Sequence, residues 1–327
     1  MLRNRASVVS LVTAMFLLCC LVRRDATAAS PADYISNFSK LATARSETLA
    51  IMGGDGAASG GTYHFYDDGT TLNIYKLGGR GAWGDGFRIG DSEVTWQPRL
   101  GGEIGVINGD NEFKDNPVLT GNTERFATTA LGFETGVQLN ISKELQVGAM
   151  LGMIYAHSES TFNAGTALGG QLKQQYAGQL FDWDIDTVSL VPSIDLQYQW
   201  LINRDVKLTL LSRFAWFKTW SVASSSAYLR GSGNSFDFEN RADLDLRLPI
   251  TLFGFPLHTG GYVALDLLGD NFRDTVGTST MYTVNSRLVL GDFDRLWKLH
   301  WLGIGVSYIA AKTFYGYSLG LEARLQF

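Results

Sequence analysis

The chain has 327 residues, 45% hydrophobic and 18% charged, with a formal net charge of −5 and a mean hydropathy of +0.01. That balance excludes a disordered chain, and the lack of any collagen or heptad period excludes a fibrous one. Thirty-seven glycines, 40 aromatic residues (19 Phe, 13 Tyr, 8 Trp) and only 6 prolines favour strands over helices.

The first element has the layout of an export signal. Arg3 and Arg5 precede an apolar run, Ala6–Val22, and Ala26-Thr27-Ala28 supplies the small residues of a cleavage site. The run is short for a membrane-spanning helix. Leu18 stands before Cys19 where a lipoprotein signal needs a small residue, so residues 1–28 read as a signal peptide. Its removal takes both cysteines, Cys19 and Cys20, and leaves 23 basic against 31 acidic residues. A mature chain of that kind has no disulfide to stabilise it, and its acidic balance argues against nucleic acid as a partner.

Residues 29–60 form a second segment. From Pro31 to Met52 there is no glycine, and Ile35, Phe38, Leu41, Ala42, Leu49 and Met52 fall close to helical spacing. Gly53-Gly54-Asp55-Gly56 then ends the predicted helix. Read from the residues alone, this helix could belong to a lumen, the periplasm or a surface.

After residue 28 no stretch approaches about eighteen consecutive apolar residues, so no transmembrane helix is expected in the mature chain, and the hydrophobicity alternates instead. Tyr317, Leu319, Leu321, Ala323, Leu325 and Phe327 share one face of a strand, while Ser318, Gly320, Glu322, Arg324 and Gln326 share the other. Upstream, Phe236, Phe238, Ala242, Leu244, Leu246 and Leu248 alternate with Asp237, Glu239, Arg241, Asp243, Asp245 and Arg247. The alternating runs extend to about ten residues or more, against about five or six for strands of soluble sheets, and about nine to eleven tilted residues cross a bilayer. Long strands with one apolar and one charged face predict a transmembrane antiparallel up-and-down β-barrel over residues 61–327, apolar outward.

Twelve strands are predicted, near 61–66, 70–77, 93–108, 126–141, 144–158, 186–200, 205–220, 236–249, 257–268, 278–290, 298–312 and 316–327. Ser142-Lys143, Leu201–Arg204 and Gly291–Arg295 are short connectors, whereas Gly109–Arg125, Glu159–Ile185 and Ser221–Ser235 are long. They alternate, as periplasmic turns and extracellular loops should. Two stretches fit less well: Gly78–Asp91 is long for a periplasmic turn, and the Tyr63–Lys76 hairpin is short for a crossing. Tyr198 and Trp200, Trp216 and Trp220, Trp297 and Trp301, and Tyr315 and Tyr317 lie near strand ends, where an interfacial aromatic girdle is expected.

With these strands and the ending Leu325-Gln326-Phe327, the sequence resembles the translocator barrel of autotransporters, in particular the solitary barrels without a passenger. Only about Ser30–Gly61 separates the expected signal from the barrel. The resemblance implies a bacterial outer-membrane location among lipids and lipopolysaccharide, a monomer, and the helix of 31–52 threaded through the lumen. It also implies that Tyr317, Leu319, Leu321, Leu325 and Phe327 form the signal read by the barrel assembly machinery.

The candidate site is the inner wall. Arg99, Glu103, Glu134, Asp195, Arg213, Arg241, Asp243, Asp245, Arg247, Arg287, Glu322 and Arg324 all fall on the polar parity of their strands, so opposite signs are expected to pair across the lumen wall. Other motifs carry less. Gly79-Arg80-Gly81-Ala82-Trp83-Gly84 matches a dinucleotide-binding string but lacks the following helix. Asn108, Asp110, Glu112 and Asp115 form an acidic loop better read as solvated than as a Ca²⁺ site. His157 and Ser158 alternate across a strand, which separates a base from its nucleophile. No catalytic, metal or cofactor site is expected. A structural or surface-interaction barrel is the leading function, with a narrow channel for small solutes and an outer-membrane hydrolase as alternatives.

Overall fold

The structure is a computed structural model that describes residues 57–66, 69–84, 86–113, 119–178, 181–291 and 299–325. Twelve long strands make the wall: β1 (Ala58–Phe65), β2 (Thr71–Ala82), β3 (Thr95–Asn111), β4 (Thr123–Asn140), β5 (Leu145–Asn163), β6 (Asp184–Leu201), β7 (Val206–Ser224), β8 (Ser232–Leu252), β9 (Phe255–Gly269), β10 (Thr280–Leu290), β11 (Leu299–Ala311) and β12 (Phe314–Leu325). Each pairs antiparallel with its chain neighbours, and β1 also pairs with β12, Tyr63 opposite Gly316, which closes the ring. A closed sheet leaves no exposed edge, the condition for strands to sit in lipid. The wall is an antiparallel twelve-stranded β-barrel.

The strands follow the predicted runs closely and extend further into the connectors. β8 reaches 21 residues, and β2 continues to Ala82, so the long segment flagged at Gly78–Asp91 shortens to a connector at 83–94. Within it Phe87 and Arg88 pair with Trp96 and Thr95. The expected helix over 31–52 and the expected signal over 1–28 lie outside the described residues.

The faces divide as alternation dictates. Leu131 and Phe133 on β4, Leu151 and Met153 on β5, Val263 on β9, Val284 on β10 and Ile304 and Val306 on β11 all project outward with about half their surface open. A contiguous apolar band of this size is stable only against lipid. Trp200 at one end and Tyr155, Trp220, Tyr308 and Tyr317 at the other are also exposed. Trp301 departs from the girdle: it follows the outward Leu302, Ile304 and Val306 by plain alternation onto the inner parity, in unbroken register with Gly303 and Gly305, and lines the cavity described below. Trp297 lies outside the described residues.

Two short helices sit in the long connectors. α1 (Ala167–Tyr176) is N-capped by Thr166, whose Oγ1 accepts from the Gly169 amide at 3.0 Å. Asn122, on the neighbouring connector, stitches the two together: its Oδ1 accepts from the Gly165 and Thr166 amides and its Nδ2 donates to the Leu119 carbonyl. α2 (Asp270–Val276) ends at Gly277, whose φ of 71° is the left-handed cap that glycine adopts without a Cβ penalty.

Candidate functional site

The interior has two storeys. At the end that carries α1 and α2 it is closely packed: Tyr63, Leu72, Ile107, Ala156, Phe217, Leu268, Met281, Ile309 and Phe314 belong to one buried cluster drawn from eleven of the twelve strands, joined by Phe272 and Val276 of α2, and the buried hydroxyls beside them bond to one another, Thr128 to Ser158 and Ser189 to Thr219. Toward the other end the inner positions become charged and the lumen opens into a cavity of about 1240 Å³.

Nine of the twelve charges picked out from sequence line that cavity: Arg99, Glu103, Glu134, Asp195, Arg213, Arg241, Asp243, Arg287 and Glu322. Lys76, Arg80, Asp237 and Glu239 join them. The signs meet across strands. Arg99 Nη1 lies 2.6 Å from Asp195, Arg80 Nε 3.1 Å from Glu134, and Lys76 Nζ 3.1 Å from Glu103. Asp243 accepts from Arg241 at 3.0 Å and from Arg287 at 2.6 Å, and Arg287 continues to Glu322 at 3.6 Å. The Arg241 guanidinium also stacks 3.5 Å above the Tyr262 ring.

Asp245 pairs instead with His258, 3.0 Å away, nearer the rim. Arg247 is exposed beyond it. Arg324 occupies the register position opposite Trp301, and its side chain lies outside what is described. Arg213 stands in register between Asp195 and Glu239, and its Nε is buried with no hydrogen-bond acceptor among the described residues.

Glycines make this network possible. Arg99 reaches Asp195 over two intervening strands, and Gly148, the residue opposite Asp195, lies beneath the bridge. A Cβ at Gly148 would collide with the Arg99 guanidinium and the Asp195 carboxylate. Arg80 likewise crosses Gly101 to meet Glu134, and a Cβ at Gly101 would approach the Glu134 Oε1 to 2.5 Å. A flat wall position is the geometric requirement for a side chain that lies along the wall.

Other sequence candidates separate. His157 projects outward, one register step past the exposed Tyr155, and its Nδ1 lies 2.8 Å from Asp186, which also accepts from the Tyr155 hydroxyl at 2.9 Å. His157 holds the Asp186 carboxyl below the ordinary carboxylate range, with the Tyr155 hydrogen bond adding to the effect. Ser158 points inward, buried, with its Oγ 2.8 Å from Thr128 Oγ1, so the neighbouring base and hydroxyl stand on opposite sides of the wall. In the acidic loop Asp110 pairs with Arg125 at 3.0 Å, and Asp115 lies outside the described residues. Among the described residues no cluster of His, Cys, Asp and Glu is arranged to hold a metal ion.

The sequence matches the family described as solitary outer membrane autotransporter beta-barrel domain over residues 84–322, more than two-thirds of the chain. The chain belongs to this family. Among solved structures, the β-domain of the Bordetella autotransporter BrkA is similar with a TM-score of 0.54 at 9% identity, covering 83% of this chain and 97% of that one. The translocator domain of NalP from Neisseria meningitidis has a TM-score of 0.49 at 11% identity over 83% of this chain and 86% of its own. The transport unit of AIDA-I from Escherichia coli has 0.49 at 13% identity over 90% and 97%. No curated protein sequence matches. A solitary autotransporter barrel is an integral protein of the bacterial outer membrane, surrounded by lipid and lipopolysaccharide. The family is one of barrel domains and not a known enzyme family. For this solitary autotransporter barrel the loop-bearing end is therefore extracellular and the short turns periplasmic.

Proposed function

We propose that this solitary autotransporter barrel works as a closed, non-enzymatic scaffold that holds its extracellular loops at the cell surface for interaction with the environment. One observation supports the reading above others: the apolar cluster fills the lumen beneath the loops, leaving the charged cavity on the periplasmic side. The described residues of these loops are tied to one another. Asn122 ties the β3–β4 and β5–β6 connectors together, and Lys173 of α1 donates to the Phe162 carbonyl and pairs with Asp182 at 3.2 Å. A pre-ordered loop loses less entropy on meeting a partner than a mobile one.

In this reading residues 1–28 are removed on export, 29–60 form the helical segment and linker with 31–52 in the lumen, and the barrel follows. It is a monomer in the membrane. The barrel assembly machinery reads the terminal strand through Tyr317, Leu319, Leu321, Leu325 and Phe327, of which the first three project outward. The luminal charges stiffen the wall as ion pairs. Excision of the α1 loop, residues 165–181, tests the reading: whole-cell adhesion to host or abiotic surfaces should be lost while the barrel still shifts on an unheated detergent gel. Unchanged adhesion with a folded barrel would contradict it.

A further inference from the structure

A barrel of about eight strands is just filled by its own side chains, whereas twelve enclose more cross-section than the wall can fill. In the extracellular half α2 takes the extra space. It belongs to the β9–β10 connector but turns inward, so that Phe272 and Val276, four residues apart on one helix face, are 0% and 4% exposed within the luminal cluster.

The attachments of α2 differ in kind from those of the wall. Asp270 has a φ of 55° and Gly277 one of 71°, so the chain reverses into the left-handed region at both ends of the helix. Two side chains fix it: Ser235 Oγ accepts from the Phe272 amide at 3.1 Å, and Thr313 Oγ1 donates to the Val276 carbonyl. One isolated bridge, Ser235 to Asp270, links it to the sheet. Withdrawing α2 therefore breaks one isolated bridge and no barrel ladder, so it can move as a unit while the wall stays closed.

We propose that α2 is a stopper and that the barrel is a gated pore. Its path runs from the extracellular face, through the space Phe272 and Val276 now fill, into the charged cavity below. Lys76, Arg80 and Arg99 stand there against Glu103, Glu134 and Asp195, so the path admits small hydrophilic ions and solutes of either sign. This goes beyond the closed scaffold of the preceding section and rests on its sealed resting state.

The test is single-channel recording in planar bilayers, on the full mature chain and on the same chain lacking residues 31–52. In each background Phe272→Ala/Val276→Ala is compared with replacement of residues 270–277 by a short Gly-Ser turn. Thr313→Val, which removes one hydrogen bond and leaves the core intact, is the third variant. The unaltered chain should stay closed. The first two variants should raise open time by about tenfold or more in at least one background, with a smaller rise for Thr313→Val. Closed recordings from all three variants in both backgrounds, with heat-shifted bands showing folded barrels, would overturn the stopper and leave the closed scaffold standing. Steady conductance from the unaltered chain would overturn both.

Discussion

The two halves of the lumen are built on the same twelve strands and solve opposite problems. In the extracellular half, inner positions carry Ile, Phe, Met and Tyr with small hydroxyl residues such as Ser158 and Thr128 paired among themselves, and the space left over is filled by a helix from a connector. In the periplasmic half, inner positions carry long charged side chains laid along the wall over glycines, and the space left over forms a cavity of about 1240 Å³. An apolar interior excludes water and needs volume to close, whereas a charged one retains water and needs room for bridges. The dry half should fail through cavities and the wet half through unpaired charge or crowding.

The largest effect is expected in the dry half. Phe272→Ala leaves a hole in the luminal cluster, and urea unfolding in detergent should register a loss of about 3–4 kcal/mol. Next comes crowding in the wet half. Gly148→Leu should displace the Arg99–Asp195 bridge and cost about 2–3 kcal/mol by the same measurement. Gly79→Ala should be near neutral, since a Cβ there meets nothing within 4 Å.

Smaller again is the loss of one charge. Asp195→Asn leaves Arg99 facing the cavity without its 2.6 Å partner and should cost about 2 kcal/mol, less than a fully dry pair because the cavity admits water. The double variant Arg99→Met/Asp195→Leu should recover part of that loss, and a purely additive double-mutant cycle would show that the bridge contributes nothing.

The smallest effect lies at the extracellular end of β6. Because Asp186 is held below the ordinary carboxylate range, its contribution is present above that range and lost as pH falls through its lowered value. Asp186→Asn should therefore cost a few tenths of a kcal/mol to about 1 kcal/mol at neutral pH, and nothing once the medium is acid enough to protonate the native carboxyl.

These halves were unequally legible in the sequence. Strand positions were readable because alternation of Leu244 and Leu246 with Asp243, Asp245 and Arg247 is strict, and a one-residue slip would turn charge into lipid. The charged storey could be anticipated from that same parity. Its pairings could not: Arg99 and Asp195 are 96 residues apart and meet over Gly148, where any Cβ would stand in the way of the bridge. The dry storey escaped because Ile107, Phe217 and Ile309 are apolar residues on the inner parity, which alternation cannot tell from an irregular lipid face. α2 escaped as well, since seven residues with the composition Asp-Asn-Phe-Arg-Asp-Thr-Val carry too little period to separate helix from loop. Asp186 was missed as the partner of His157 because the whole β5–β6 connector separates them in sequence.

The division of the lumen into a sealed and a wet half is tested most directly by thiol reactivity, in a chain whose Cys19 and Cys20 are replaced by serine and which carries one new cysteine. Ala156→Cys places the thiol in the apolar cluster, and Leu211→Cys places it on the cavity wall. With the folded barrel in detergent and a small charged maleimide, the cysteine at 211 should react at close to the rate of a free thiol. The cysteine at 156 should react about a thousandfold more slowly. Equal rates at the two positions would contradict the sealed extracellular half.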